Sequence, residues 1–364
     1  MIRRAAVTIA AILSILAIPL MSATSNGVVA QDDDIKIAYV LHGLNAFTEV
    51  IKEGAEDAAE DLGVELEVFG QAGFDVPTHQ AFFESAMQSG VDGIVVVPNG
   101  GDQWNSLLES AADEGIALAA SNTTALTSVL DLWVGQDEYT SGVILGEEIK
   151  KFLGDKGVTS GQIVAGSCIA GLQVLIDRYN GLAKALEGTE YELSENYDVK
   201  VDNTENYNQW DNLATANPDS VAMVGLCSLD IANLAQIKER GSYEWMVAGY
   251  DLDVPTLEAM QNGFADVTVG QQPYLQGYLP VLALVQELRD GNKITGWLET
   301  PTEVVTAANV ADYTDREGDN AVQREFYQTY IAENFSDLQA AARPYDDLKT
   351  PGMPRATPEG TPEA

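Results

Sequence analysis

From Ile35 onward the chain alternates short apolar runs with amphipathic stretches. "IKIAYVL" (35–41), "VELEVF" (64–69), "DGIVVVP" (92–98) and "IALAAS" (116–121) have the length and β-branched content of strands. Between them, "FTEVIKEGAEDAAEDLG" (47–63), "HQAFFESAMQSG" (79–90) and "DQWNSLLESAADEG" (102–115) carry apolar residues at helical spacing and end on glycine. After "LWVG" (132–135) a helix over 138–153 starts the alternation again. "QIVAGSC" (162–168), "YDVKV" (197–201), "VAMVGLC" (221–227), "EWMVAGY" (244–250) and "ADVTVG" (265–270) predict strands. Helices are expected between them, near 174–187, 206–216, 230–240 and 254–262. Strands alternating with helices in this way form right-handed βαβ units and a mostly parallel sheet. The pattern occurs twice, so the fold class expected is α/β, with two doubly wound parallel-sheet domains.

The two ends fall outside this pattern. Arg3 and Arg4 precede "AAVTIAAILSILAIPLM", and small residues up to "GVVA" follow, which is the layout of a secretory signal over 1–30. The apolar run is short for a membrane span and holds Pro19, and no cysteine follows it for lipid attachment. Export to the periplasm or the outer face of the membrane is therefore expected. The residues from 341 to 364, rich in Pro, Thr and Glu, read as a disordered tail. With 56 acidic and 19 basic residues the formal charge is −37, which excludes nucleic acid and anionic lipid as partners.

Ligands of open α/β sheets sit beyond the C-terminal strand ends. The segments there are "HGLNAF", "NGGDQW", "SNTT", "QDEY", "SCIAG", "CSLD", "YDLD" and "QQPY". They are rich in Asn, Gln, Asp, Ser and aromatics and nearly lack Lys and Arg. Amide and carboxylate groups pair with vicinal hydroxyls, and aromatic faces cover the CH face of a sugar ring. A phosphate or carboxylate would require Arg, Lys or a glycine-rich cradle. The inventory points to a neutral polyhydroxylated ligand. The chain has only His42 and His79, and no nucleophile elbow, phosphate loop or zinc motif. No catalytic residue, cofactor or metal is expected.

Several segments carry a resemblance: "NAFTEVIKEGAEDAAEDLG", "DGIVVVPN", "IAGLQVLIDRYNGL", "VAGYDLDVPTLEAMQNG", "VTVGQQPYLQGY" and "EVVTAANVADY". In this order they resemble a type I periplasmic binding protein of the ribose/simple-sugar group, the solute receptor of an ABC transporter. The resemblance implies that Asn45 bonds ligand hydroxyls and Phe47 stacks on the ring, with Thr48 in place of a second aromatic. It places Tyr250, Asp251 and Gln271 at the ligand. Ser121 and Asn122 stand where ribose receptors have an Asp–Arg pair, and Ile176 is the nearest match to a second binding Arg. Cys227 or Ser228 stands where an Asn is usual. On this reading the charged half of the pocket is missing. Trp104 and Trp133 are candidates to replace lost contacts, Asp137 lies at a strand end, and Tyr274 is a further candidate. His79, at a helix start, is expected to be exposed or capping.

The resemblance also implies three crossings, near Gln136–Asp137, Gln271–Gln272 and Thr300–Thr302. One domain is then 31–136 with 272–300, and the other 137–271 with 301–340. Cys168 and Cys227 end strands that are neighbours in the usual order, about 4.8 Å apart, so a disulfide at the pocket rim is expected. The function implied is capture of a small neutral carbohydrate or polyol by a monomer, and its delivery to the membrane permease of an ABC transporter. The alternatives are a ligand-sensing protein for a chemoreceptor or sensor kinase and an exported carbohydrate-active enzyme. A sugar-responsive repressor would carry a DNA-binding helix pair where this chain has its leader.

Overall fold

The computed structural model describes residues 35–99, 101–123 and 129–347. The leader at 1–30 and the tail beyond Asp347 lie outside these residues. The first half of the chain runs β1 (Lys36–Val40), α1 (Ala46–Leu62), β2 (Glu65–Phe69), α2 (Val76–Gln88) and β3 (Gly93–Val96), then α3 (Asn105–Asp113), β4 (Ala117–Ser121) and β5 (Leu132–Gly135). After α4 (Glu138–Asp155) come β6 (Ser160–Ser167), α5 (Gln173–Leu186), β7 (Glu190–Asp198), α6 (Asn203–Ala216) and β8 (Ala222–Gly225). Then follow α7 (Asp230–Gly241), β9 (Met246–Tyr250), α8 (Val254–Gln261) and β10 (Val267–Gly270). The chain continues through α9 (Pro273–Asp290), β11 (Gly296–Glu299), β12 (Glu303–Thr306), α10 (Val310–Glu317) and α11 (Asn320–Asn334).

The strands form two six-stranded sheets, in the orders β11-β5-β4-β3-β1-β2 and β12-β10-β9-β8-β6-β7. Every pairing is parallel except that of β10 with β12. The fold is therefore two parallel-sheet α/β lobes. The two-residue period of each strand sorts its side chains between two cores. In β1, Ile37 and Tyr39 face the core beneath α1 and α9, while Ala38 and Val40 face Phe83 of α2 and Leu108 of α3.

Each lobe is braced by one close helix crossing. A Cβ on Gly54 of α1 would stand 2.1 Å from the Tyr274 carbonyl oxygen, and one on Gly277 of α9 would stand 1.9 Å from that of Ile51. In the second lobe, a Cβ on Gly142 of α4 would meet the Arg178 carbonyl at 2.2 Å, and one on Gly181 of α5 that of Tyr139 at 2.1 Å. Only glycine permits backbones this close. The crossings fix the two helices, α9 and α5, that carry the central polar groups of the site.

Two expectations are corrected. The strand expected at 197–201 lies earlier, at Glu190–Asp198. It is the sheet edge, where half-exposed residues replace the apolar run that "YDVKV" offers. The C-terminal stretch does not stay with the second lobe as the 301–340 boundary implied. After α10, α11 returns to the first lobe, where Arg324 pairs with Asp57 (2.9 Å), Glu60 (2.7 Å) and Asp61 (2.7 Å) of α1. Tyr327, Ile331 and Phe335 join the core that contains Tyr39 and Tyr274. Arg343 then exchanges backbone hydrogen bonds with Trp297 at 2.8 Å, so the first residues assigned to the tail are held.

Candidate functional site

β10 ends at Gly270, and Gln271 and Gln272 lead directly into α9. Pro280 lies inside this helix and has no N–H, so the Gln276 carbonyl four residues earlier lacks its intrahelical partner. Tyr39 Oη and Ser121 Oγ donate to that carbonyl instead, at 2.8 and 2.7 Å. The Gln276 amide then anchors a buried polar chain. Its Oε1 accepts from Asn122 Nδ2 at 3.0 Å, and the same Nδ2 reaches Gln271 Oε1 at 3.2 Å. Gln271 Nε2 donates to Asp251 Oδ1 at 2.8 Å. Asn122, Asp251 and Gln272 all have left-handed backbones, with φ of 57°, 74° and 60°. Asn and Asp tolerate this region, whereas for Gln272 it costs roughly 1–2 kcal/mol. The bonded chain holds the turns at Asn122 and Asp251, and the Tyr327 hydroxyl donates to Gln272 Oε1.

A second cluster lies beside it. Glu138, in the first turn of α4, takes both Nε (2.6 Å) and Nη2 (2.9 Å) of Arg178 from α5. Arg178 Nη1 donates to the Leu226 carbonyl at 2.8 Å, and the guanidinium carbon lies 4.0 Å from the ring centroid of Tyr250. Both charged side chains are almost fully buried, at 3% and 1% exposure, so each offsets the other's loss of water. Asp251 is pushed up to about 7 by burial, against the opposing pull of Arg178 and of the Gln271 amide.

Of these groups, Asn122, Arg178, Asp251 and Gln271 line a cavity of about 340 Å³, near the lower bound of roughly 300–1,000 Å³ usual for small-molecule sites. The first lobe contributes His42, Asn45, Phe47 and Asn122, and the second contributes Arg178, Ser228, Asp251 and Asp253 with an aliphatic surface from Ile169 to Leu175. The disulfide between Cys168 and Cys227 borders it, with Cα atoms 6.0 Å apart.

Residues 37–293 match the periplasmic binding protein domain family. The chain belongs to this family. It is thus a substrate-binding protein and not an enzyme. The xylose/arabinose-binding protein XylF of Sulfolobus acidocaldarius is 24% identical over 311 residues, covering 79% of this chain and 75% of that protein. A solute-binding protein of Burkholderia graminis solved in complex with D-arabinose has a TM-score of 0.73 at 21% identity, covering 77% of this chain and 98% of that one. One from Bacillus halodurans with bound myo-inositol has a TM-score of 0.70 at 24% identity, covering 78% and 98%.

Of the residues singled out in the sequence of this periplasmic binding protein, Asn45, Phe47, Asn122, Asp251 and Gln271 line the cavity together. Asn45 also caps α1, accepting from the Thr48 N–H at 3.0 Å while Thr48 Oγ1 accepts from the Asn45 N–H at 2.9 Å. Thr48 is thus a capping partner rather than a missing ring-stacking wall. Six other candidates lie elsewhere. Ser121 holds the Gln276 carbonyl, and Tyr250 backs Arg178 with its hydroxyl 3.0 Å from Ser141 Oγ. Asp137 caps α4 through the Thr140 N–H at 3.0 Å. Tyr274 stacks on Tyr327 at 4.5 Å and donates to Asp57 at 2.6 Å. Trp104 is core, packed on Phe83 and on the buried His79 at 4.6 Å, which also corrects the expectation for His79. Trp133 stacks on Trp297 inside the first lobe.

The main residue missed is Arg178. The strand-end segments nearly lack basic residues, but this side chain reaches the cavity from within α5, two positions beyond Ile176. Its spacing from Val174 and Leu175, one helical turn, puts all three on one face. The missing signal was the buried acid that an inward arginine requires, which α4 supplies from a different segment.

Proposed function

We propose that this periplasmic binding protein captures a neutral sugar or polyol between its two lobes and delivers it, outside the cytoplasmic membrane, to the permease of an ABC transporter. The observation that carries this reading is the charge balance at the polar end of the cavity. Arg178 is neutralised by Glu138, so the site offers an arginine as a directional donor without a spare cation to hold an anion. Asn122, Gln271 and Asp251 add amide and carboxylate groups at fixed positions, a set suited to the alternating donors and acceptors of vicinal hydroxyls. Phe47 supplies an aromatic face for ring CH groups. D-arabinose and myo-inositol, present in two structural relatives, are neutral and polyhydroxylated as the cavity requires. Among the described residues no helix is long and apolar enough to cross a membrane.

Calorimetric titration with neutral pentoses, hexoses and polyols tests the proposal. At least one should bind, and Asp251→Ala should weaken it by about 100-fold or more, because it leaves buried donors unpaired. Unchanged affinity in that variant would move the ligand away from this cluster.

A further inference from the structure

The strand order of the second sheet sorts the cavity lining. Asp251 and Gln271, with the polar chain they belong to, follow β9 and β10. Most cavity residues that follow the neighbouring strands β8, β6 and β7 are apolar, with Leu229 after β8, Ile169 and Leu172 after β6, and Val201 after β7; Ser228 and Asn203 are the polar exceptions. The Cys168–Cys227 disulfide joins the first two of these loops and adds apolar sulfur surface. Ile169, Val201 and Leu229 are only half-buried, so the wall they form is open to an occupant rather than consumed by the core.

We infer that the ligand, on the reading of sugar or polyol capture above, carries one apolar edge: a deoxy or O-alkylated sugar or polyol, oriented with its hydroxyls toward Asp251 and Gln271 and its bare edge on Ile169, Leu172, Val201 and Leu229. A hydroxyl set against these four side chains loses its water and gains no hydrogen bond from them, whereas a methyl or methylene group there gains from leaving water. The polar end supplies binding and orientation, and the aliphatic end selects by penalising the extra hydroxyl.

The test is calorimetric titration of the mature protein with matched pairs: D-fucose against D-galactose, L-rhamnose against L-mannose, and methyl β-D-xyloside against D-xylose. In the pair of the right configuration, the member with the apolar edge binds tighter by roughly 10–100-fold. Val201→Thr, which keeps the side-chain shape and adds a hydroxyl, narrows that ratio, and so does Leu229→Asn. If the hydroxylated members bind as tightly or better, or neither substitution changes the ratio, the apolar-edge assignment is wrong while sugar capture stands. If no member of any pair binds, this inference fails, and sugar capture fails with it only if the wider panel of neutral pentoses, hexoses and polyols is also unbound.

Discussion

Arg178 and Glu138 show what one buried pair costs and what it secures. Removing only the arginine, as in Arg178→Met, leaves the Glu138 carboxylate buried without its bidentate partner. Urea unfolding of that variant should show a loss of about 3–5 kcal/mol. Adding Glu138→Gln should recover most of it, since the double variant buries no charge. A double variant no more stable than Arg178→Met would mean that the carboxylate is not the source of the cost. At this scale the sequence was legible where a residue lies immediately beyond a strand, as Asp251 and Asn122 do. Its neighbours Tyr250 and Ser121 were not separable from them. Successive residues at a strand end point to opposite faces, and the sequence does not say which of the two faces the cleft.

The helix crossings make a sharper demand than any strand. A methyl group on Gly181 has no room, because the Tyr139 carbonyl of the facing helix would lie 2.1 Å away. Gly181→Ala should therefore separate α4 from α5, lower the melting temperature and weaken ligand binding through the displaced Arg178. Gly154→Ala, in α4 but with nothing within 4 Å, is the control and should be neutral or stabilise by about 0.5–1 kcal/mol. Equal behaviour of the two variants would contradict the account of the crossing. The elements themselves were readable from periodicity, since buried parallel strands are short apolar runs. The return of α11 to the first lobe was not. Its attachment rests on Arg324 and Tyr327 meeting α1 and α9, contacts more than 260 residues away for the ion pairs with Glu60 and Asp61. No local pattern reports such a partner.

Across the whole molecule, the buried carboxyl groups set how stability depends on pH. Burial raises Asp251 and Asp177 to about 7 and Asp230 and Asp253 to about 6, from an ordinary value of 3.8. Between about pH 4 and 7 the folded chain therefore holds more protons at these sites than the unfolded chain, and stability falls as pH rises. His42 and His79, lowered by burial to about 3 and about 4, act in the opposite sense below their ordinary value of 6.5. The four carboxyl groups outnumber the two histidines, so the net effect keeps their sign. The melting temperature of the ligand-free protein should thus rise as the pH falls from 8 to 6. A melting temperature that rises with pH from 6 to 8 would contradict these assignments.

The central claim concerns what the cavity holds. A melting-shift screen of the mature, ligand-free protein against neutral pentoses, hexoses, deoxysugars and polyols, with gluconate and glucosamine as charged controls, addresses it most directly. Binding to the folded state raises the melting temperature with ligand concentration. The account predicts a concentration-dependent rise for at least one neutral carbohydrate and none for the charged controls. Stabilisation by a charged control alone, or by no carbohydrate at all, would contradict it.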